Sequence, residues 1–135
     1  MGSSNRVKDR VKKQRNQVSA NSAYNAMQRV LSGENWKIAY MDFVDDFRRD
    51  PQFQLIQKKP SMEDFKLYAL LHGICFQLCL DSKINLADWL AEPVFLKQPW
   101  FVSGMKSLRA MALRDSPMGL KRNNIFVLDN FLMRV

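Results

Sequence analysis

The sequence predicts an all-α protein with a single compact domain. Three observations carry this expectation. Apolar residues recur at three-and-four spacing along most of the chain, the signature of amphipathic helices. Stop signals, Ser32-Gly33, Asp50-Pro51 and Ser116-Pro117, separate the periodic stretches. The one strand-like run, residues 125–128 (IFVL), has no second run to pair with, so no sheet is inferred. A length of 135 residues fits one domain. The expected organisation is a basic arm at residues 1–20, followed by a domain of about five helices at 21–135 with irregular apolar connectors.

The arm opens with MGSSN, expected to be disordered. Val7, Val11 and Val18 then share a helical face among charges. Three valines make a thin stripe, so the arm is helical only when something packs on it. The first domain helix is expected over 21–31, with Ala23, Met27, Val30 and Leu31 on one side and Gly33 past its end. The second is the clearest amphipathic stretch. Trp36, Ala39, Tyr40, Phe43, Val44 and Phe47 face inward, and Lys37, Asp42, Asp45, Asp46, Arg48 and Arg49 face outward. Pro51 closes it, because the residue before proline disfavours helical geometry. Residues 51–60 read as a connector with Phe53, Leu55 and Ile56 tucked against the body.

A third helix is expected over 62–81, with Ser61 as its cap. It is apolar around most of its circumference, which marks a buried central element. Asn85 is expected to cap a short helix at 86–91, ended by Pro93. Residues 94–102 read as extended and apolar. A further helix is expected over 103–114, with Met105, Leu108, Met111 and Ala112 inward, and a last helical turn over 129–134. The apolar carboxy-terminal stretch either docks on its own core or is offered to a partner, since a chain end frays unless tied down.

The charge is uneven. The chain holds 21 bases and 13 acids, formally +8. Residues 1–20 alone hold six bases (Arg6, Lys8, Arg10, Lys12, Lys13, Arg15) and one acid, net +5; the other 115 residues hold 15 bases and 12 acids, net +3. A basic arm commonly meets a polyanion, so nucleic-acid binding through these six residues is one functional expectation. The chain contains no run of 18 apolar residues and no apolar signal region near its start, so no membrane partner and a cytoplasmic location are expected. Two cysteines in such a chain are expected as reduced thiols.

Reactive chemistry is sparsely represented. His72, Cys75 and Cys79 lie on one side of the central helix, at a spacing compatible with zinc. Their neighbours Leu71, Ile74, Phe76, Leu78 and Leu80 make this a hydrophobic helix, and cysteine packs well as a small hydrophobe. Structural burial is therefore the expectation, with no metal and no catalytic residue. Asp42, Asp45, Asp46 and Asp50, beside Arg48 and Arg49, read as an ion-paired outer face. No glycine-rich phosphate loop is present, and no cofactor is expected. Trp89, Phe95, Trp100 and Phe101 crowd around Pro93 and Pro99, either clamping this stretch to the core or anchoring a partner.

Three runs carry a family resemblance: residues 89–103 (WLAEPVFLKQPWFVS), 107–117 (SLRAMALRDSP) and 122–135 (RNNIFVLDNFLMRV). Together they resemble a family of small bacterial helical proteins. Its pattern is a W-x-x-E/D-P and P-W-F region, an A-L-x-x-S-P turn and a terminal R-N-I-F-V-x-x-N-x-L-S-R. The resemblance spans about residues 36–135. Met133 stands where the family has a small polar residue, and Gly119-Leu120 replaces an aromatic-basic pair. It implies an antitoxin-like role: a non-enzymatic partner that occludes a nucleotidyltransferase-type toxin encoded by an adjacent gene. Trp100, Arg109, Arg114, Lys121, Arg122 and Arg134 are the residues expected at that partner surface.

Overall fold

The structure, a computed structural model, describes residues 19–128 and 131–132. The arm and the turn expected over 129–134 therefore lie wholly or largely outside the described residues. The described part is about 56% helical with almost no strand. Seven α-helices appear in order: α1 Ala23–Leu31, α2 Trp36–Arg49, α3 Gln54–Gln57, α4 Phe65–Ser82, α5 Asp88–Ala91, α6 Arg109–Asp115 and α7 Met118–Lys121. A 3-10 turn, η1, covers Lys106–Leu108, and two strands, β1 Trp100–Phe101 and β2 Ile125–Phe126, complete the chain. The count exceeds the expected five because α3 and α7, four-residue turns, were not expected. Elements this short show no period along the sequence.

Local chemistry sets the helix ends. The Ser22 hydroxyl accepts from the Asn25 amide at 3.2 Å, the Asn35 side chain from Lys37 at 2.8 Å, and the Asp64 carboxylate from Leu67 at 3.1 Å. Each satisfies an amide that the first helical turn leaves without an intrahelical partner. Asp64, not Ser61, thus caps α4; Ser61 instead holds the Glu63 amide in the preceding turn. Likewise α5 begins at Asp88 with no side-chain cap, later than Asn85 suggested. Past α1, Gly33 adopts φ +114° while the Gly33 and Glu34 amides bond back to Val30 and Arg29, closing the helix with the paired bonds of a Schellman turn. Lys83 plays the same part after α4 at φ +57°, a conformation that costs a residue bearing a Cβ.

α4 is the axis of the molecule. Every residue from Tyr68 to Phe76 is buried, as are Leu78 and Cys79. α1 and α2 pack on one side through Met27, Tyr40, Phe43 and Phe47, all at or near zero exposure. α7 packs on another side, where two glycines meet. A Cβ on Gly73 would sit 2.6 Å from Leu120 Cδ2, and a Cβ on Gly119 would sit 2.8 Å from the Gly73 carbonyl oxygen. The Gly119 amide also donates to Gln77 Oε1 at 3.0 Å. Only bare backbone lets the two helices approach this closely.

The strands form a parallel pair with Trp100 opposite Ile125 and Phe101 opposite Phe126, contrary to the expectation of no sheet. Two residues per strand show no alternation. The pairing is set by the Trp100 amide bonding to the Asn124 carbonyl at 3.0 Å and the Val102 amide to Phe126 at 3.1 Å. The Ser116 hydroxyl accepts from the Val127 amide at 2.7 Å and ties the end of α6 to this ladder. The described residues of the apolar carboxy-terminal stretch are docked on the core. Ile125, Val127 and Leu132 are buried, Phe131 lies 6.3 Å from Trp36, and Arg48 donates to the Leu132 carbonyl.

Candidate functional site

The residues with the most reactive chemistry are enclosed. His72, Cys75 and Cys79 are all buried on α4, as expected. His72 Nε2 lies 3.1 Å from both the Trp89 and the Glu92 carbonyl oxygens. Carbonyls only accept, so this nitrogen carries the proton. Nδ1 then accepts from Asn123 Nδ2 at 3.0 Å, and the same amide group donates to the Ala69 carbonyl at 3.0 Å. The ring is a neutral imidazole that joins α4 to α5 and to the turn before β2. Burial lowers its pKa, and the positive Arg122 adds to that, against the opposing pull of the Glu92 and Trp89 carbonyls. Burial pushes the Cys75 thiol well up and raises Cys79 to about 11, so neither forms a ready thiolate. Among the described residues no group of three His, Cys, Asp or Glu is arranged to hold a metal ion.

Aromatic rings complete this centre. Trp89 meets His72 edge-on at 5.7 Å, Tyr68 lies 6.0 Å from both, and the Trp89 indole donates to the Ile56 carbonyl at 2.7 Å. Burial raises the Tyr68 phenol to about 12. Nearby, a cleft of about 380 Å³ is lined by Phe53, Gln57, Lys59, Ala87, Asp88, Trp89 and Glu92. Its Lys59 and Glu92 pair with each other at 3.6 Å. On α2, Asp42 shares Arg29 with Glu34, and Asp46 pairs with Arg49, so this acidic stretch is an ion-paired surface.

The expected partner-surface residues divide into two groups. Trp100 and Arg122 serve the fold. Trp100 is half-buried, edge-on to Trp36 at 6.2 Å, with the Lys66 ammonium 4.3 Å from its ring centre. Arg122 is half-buried with its guanidinium 4.0 Å from the Phe76 ring centre. Arg109, Arg114 and Lys121 are exposed and lie together on α6 and the end of α7. Arg109 sits 5.0 Å from the centre of the Phe101 ring, which stacks on Phe126 at 5.2 Å. Arg114 grips Asp115 through two bonds at 2.8 and 3.1 Å, and Lys121 donates to the Arg114 carbonyl at 3.2 Å. Arg134 and the six arm residues Arg6, Lys8, Arg10, Lys12, Lys13 and Arg15 lie outside the described residues.

Two features of this surface escape the reading by periodicity. The first is charge segregation. Residues 19–92 hold eight bases and ten acids, net −2, whereas residues 93–128 hold six bases (Lys97, Lys106, Arg109, Arg114, Lys121, Arg122) and one acid (Asp115), net +5. Counting charge element by element would have found it. The second corrects the helix expected over 103–114. That stretch breaks into η1 and a seven-residue α6, of which only Ala112 is buried. Met105 and Met111, expected inward, are 56% and 43% exposed, alongside Leu113 at 48% and Met118 at 55%.

No family model, no curated protein and no solved structure matches this chain.

Proposed function

We propose that this chain is a non-enzymatic, antitoxin-like interaction protein that neutralises a nucleotidyltransferase-type toxin by covering its active cleft. One observation carries the reading: the segment 93–128 has a formal charge of +5, with Arg109, Arg114 and Lys121 exposed, and four large apolar side chains are exposed on and around α6. Metal-dependent nucleotidyl-transfer sites hold their divalent ions with carboxylates, so such a cleft complements a basic cap. The resemblance carried by residues 89–135 points to the same role. His72, Cys75 and Cys79 are committed to packing, which suits a protein that acts by binding.

Co-expression with the protein encoded by the adjacent gene tests this. The expected result is that the two copurify as a complex and that the chain relieves growth arrest caused by its neighbour. No complex and no relief would overturn it. The six cations of the arm favour a second reading, in which the chain binds nucleic acid. That reading requires duplex or single-stranded affinity that falls steeply with salt and is lost on removing residues 1–20.

A further inference from the structure

The described chain begins beside a cavity, and the residues that precede it, 1–18, carry a net charge of +5. The cavity, about 190 Å³, lies between α1 and α2. It is lined by Ala20 and Ser22, where the described chain begins, and by Ala26, Ala39, Phe43 and Asp46. The two helices run antiparallel here. Arg29, in the last turn of α1, meets Asp42 at 3.0 Å, while Ser22 at its start shares the cavity with Asp46. The chain therefore enters the domain next to the second half of α2. At 3.6 residues per turn, Ile38, Asp42, Asp45, Asp46 and Arg49 share the outward arc of that helix. Ile38 is 55% exposed. Arg48 is turned off the arc to the Leu132 carbonyl, and Arg29 of α1 is shared between Asp42 and Glu34. The arc itself carries three acids and one base, net −2.

This face selects a cationic, partly apolar occupant. Nucleic acid and anionic bilayers are repelled by its carboxylates. Two cationic segments of the chain itself remain, the arm and residues 93–128. The latter are fixed in the fold by β1–β2 and α7, so they can reach the arc only from a second copy. The arm is tethered beside it. Five steps separate Arg15 from Ala20, a reach of up to about 17 Å, whereas Asp42 and Asp46 lie about 6 Å apart along α2. Such a short tether gives the arm an effective concentration of about millimolar at this face, which a second copy lacks. The spacing also matches. Val11 and Val18 are seven residues apart, as are Ile38 and Asp45. An arm wound as a helix along α2 thus brings Val18 to the cavity and Val11 to Ile38, with Lys8, Lys12 and Arg15 flanking the valines.

We propose that the arm folds back on its own domain, with Lys12 and Arg15 at Asp42, Asp45 and Asp46, Lys8 towards Glu34, and Val11 and Val18 covering Ile38 and the cavity. The contact occupies the cations that would otherwise meet phosphate, so a polyanion has to compete with α2 for the arm. This inference is independent of the antitoxin-like reading.

The full chain is treated with a water-soluble carbodiimide, which joins an ammonium to a carboxylate in contact, and the links are mapped by mass spectrometry. Lys8 or Lys12 is expected to link to Glu34, Asp42, Asp45 or Asp46. Salt at about 1 M, which screens charges beyond about 3 Å, is expected to suppress the link. Excess polyphosphate, as the polyanion probe, is expected to suppress it too. In an equal mixture of ordinary and heavy-nitrogen-labelled chain, links are expected only within one isotope form. Trypsin cuts after Arg15, and D45N/D46N, with unchanged circular dichroism, is expected to speed that cleavage about fivefold. No link from the arm to α2 would overturn the proposal, as would links solely to acids elsewhere, such as Glu63 or Asp115. Links joining the two isotope forms would place a second copy on the arc and overturn it likewise. Equal cleavage of wild type and a folded D45N/D46N would do the same. A link that persists under polyphosphate would overturn the competition. The cross-links are read on the wild-type chain, so they decide the matter even if the variant does not fold.

Discussion

Acidification from pH 7 to pH 5 reaches one buried group in this protein, because the chain contains a single histidine. In the unfolded chain His72 titrates near 6.5; in the folded state burial lowers its pKa. The folded state therefore binds fewer protons below pH 6.5, and unfolding becomes progressively easier as pH falls. The slope is at most about 1.4 kcal/mol per pH unit for one proton. From pH 7 to pH 5 the loss is therefore bounded at about 2 kcal/mol, a measurable part of a typical domain's stability. Asp115, whose pKa is lowered by its Arg114 partner, adds stability that is lost only as pH falls below the usual value of 3.8. Urea unfolding followed by fluorescence of the three tryptophans at pH 7, 6 and 5 measures the loss, and the single histidine signal in proton NMR reports the folded titration directly. H72Q, which cannot take the proton, is expected to be less stable overall but flat across the window. Equal wild-type stability at all three pH values, a folded histidine titrating at or above 6.5, or an H72Q slope like that of wild type would refute the account of a neutral ring held between Trp89, Glu92 and Asn123.

Further consequences follow from the packing. G119A places a Cβ 2.8 Å from the Gly73 carbonyl oxygen and 3.0 Å from the Gln77 nitrogen, backbone atoms that cannot rotate away; a net loss of about 1–3 kcal/mol is expected by urea unfolding, despite the helix preference of alanine. K83G removes a side chain from a left-handed position and is expected to raise stability by about 0.5–1 kcal/mol, read as a higher urea midpoint. S116A leaves the buried Val127 amide without its acceptor and is expected to cost about 1–3 kcal/mol. Cys75 and Cys79 are expected to react with a disulfide reagent at pH 8 only as fast as the protein opens, and immediately in urea.

The adhesive chemistry of the candidate surface is separated from the residues that hold it up. Trp100 and Arg122 are clamped by Lys66, Trp36 and Phe76, so replacing them would disturb the platform as well as any contact. Arg109, Met111 and Leu113 support little of the core, which makes them the informative positions for testing binding.

By itself the sequence determined the long helices and the burial of α4. A 3.6-residue period and a glycine past a helix end act within a few neighbouring residues, so Trp36–Arg49 and the enclosed run around His72 could be read in order along the chain. It also contained the basic carboxy-terminal segment, open to anyone counting charges from Lys97 to Arg122. Tertiary structure alone decided the rest. Asn123 meets His72 across 51 positions, Gly119 meets Gln77 across 42, and Trp100 pairs with Ile125 through two-residue strands too short to leave a pattern. The same holds for α6. Its methionines look like core residues until the helix shortens to seven residues and buries only Ala112, because whether an apolar side chain is covered depends on what packs against it and not on its own period.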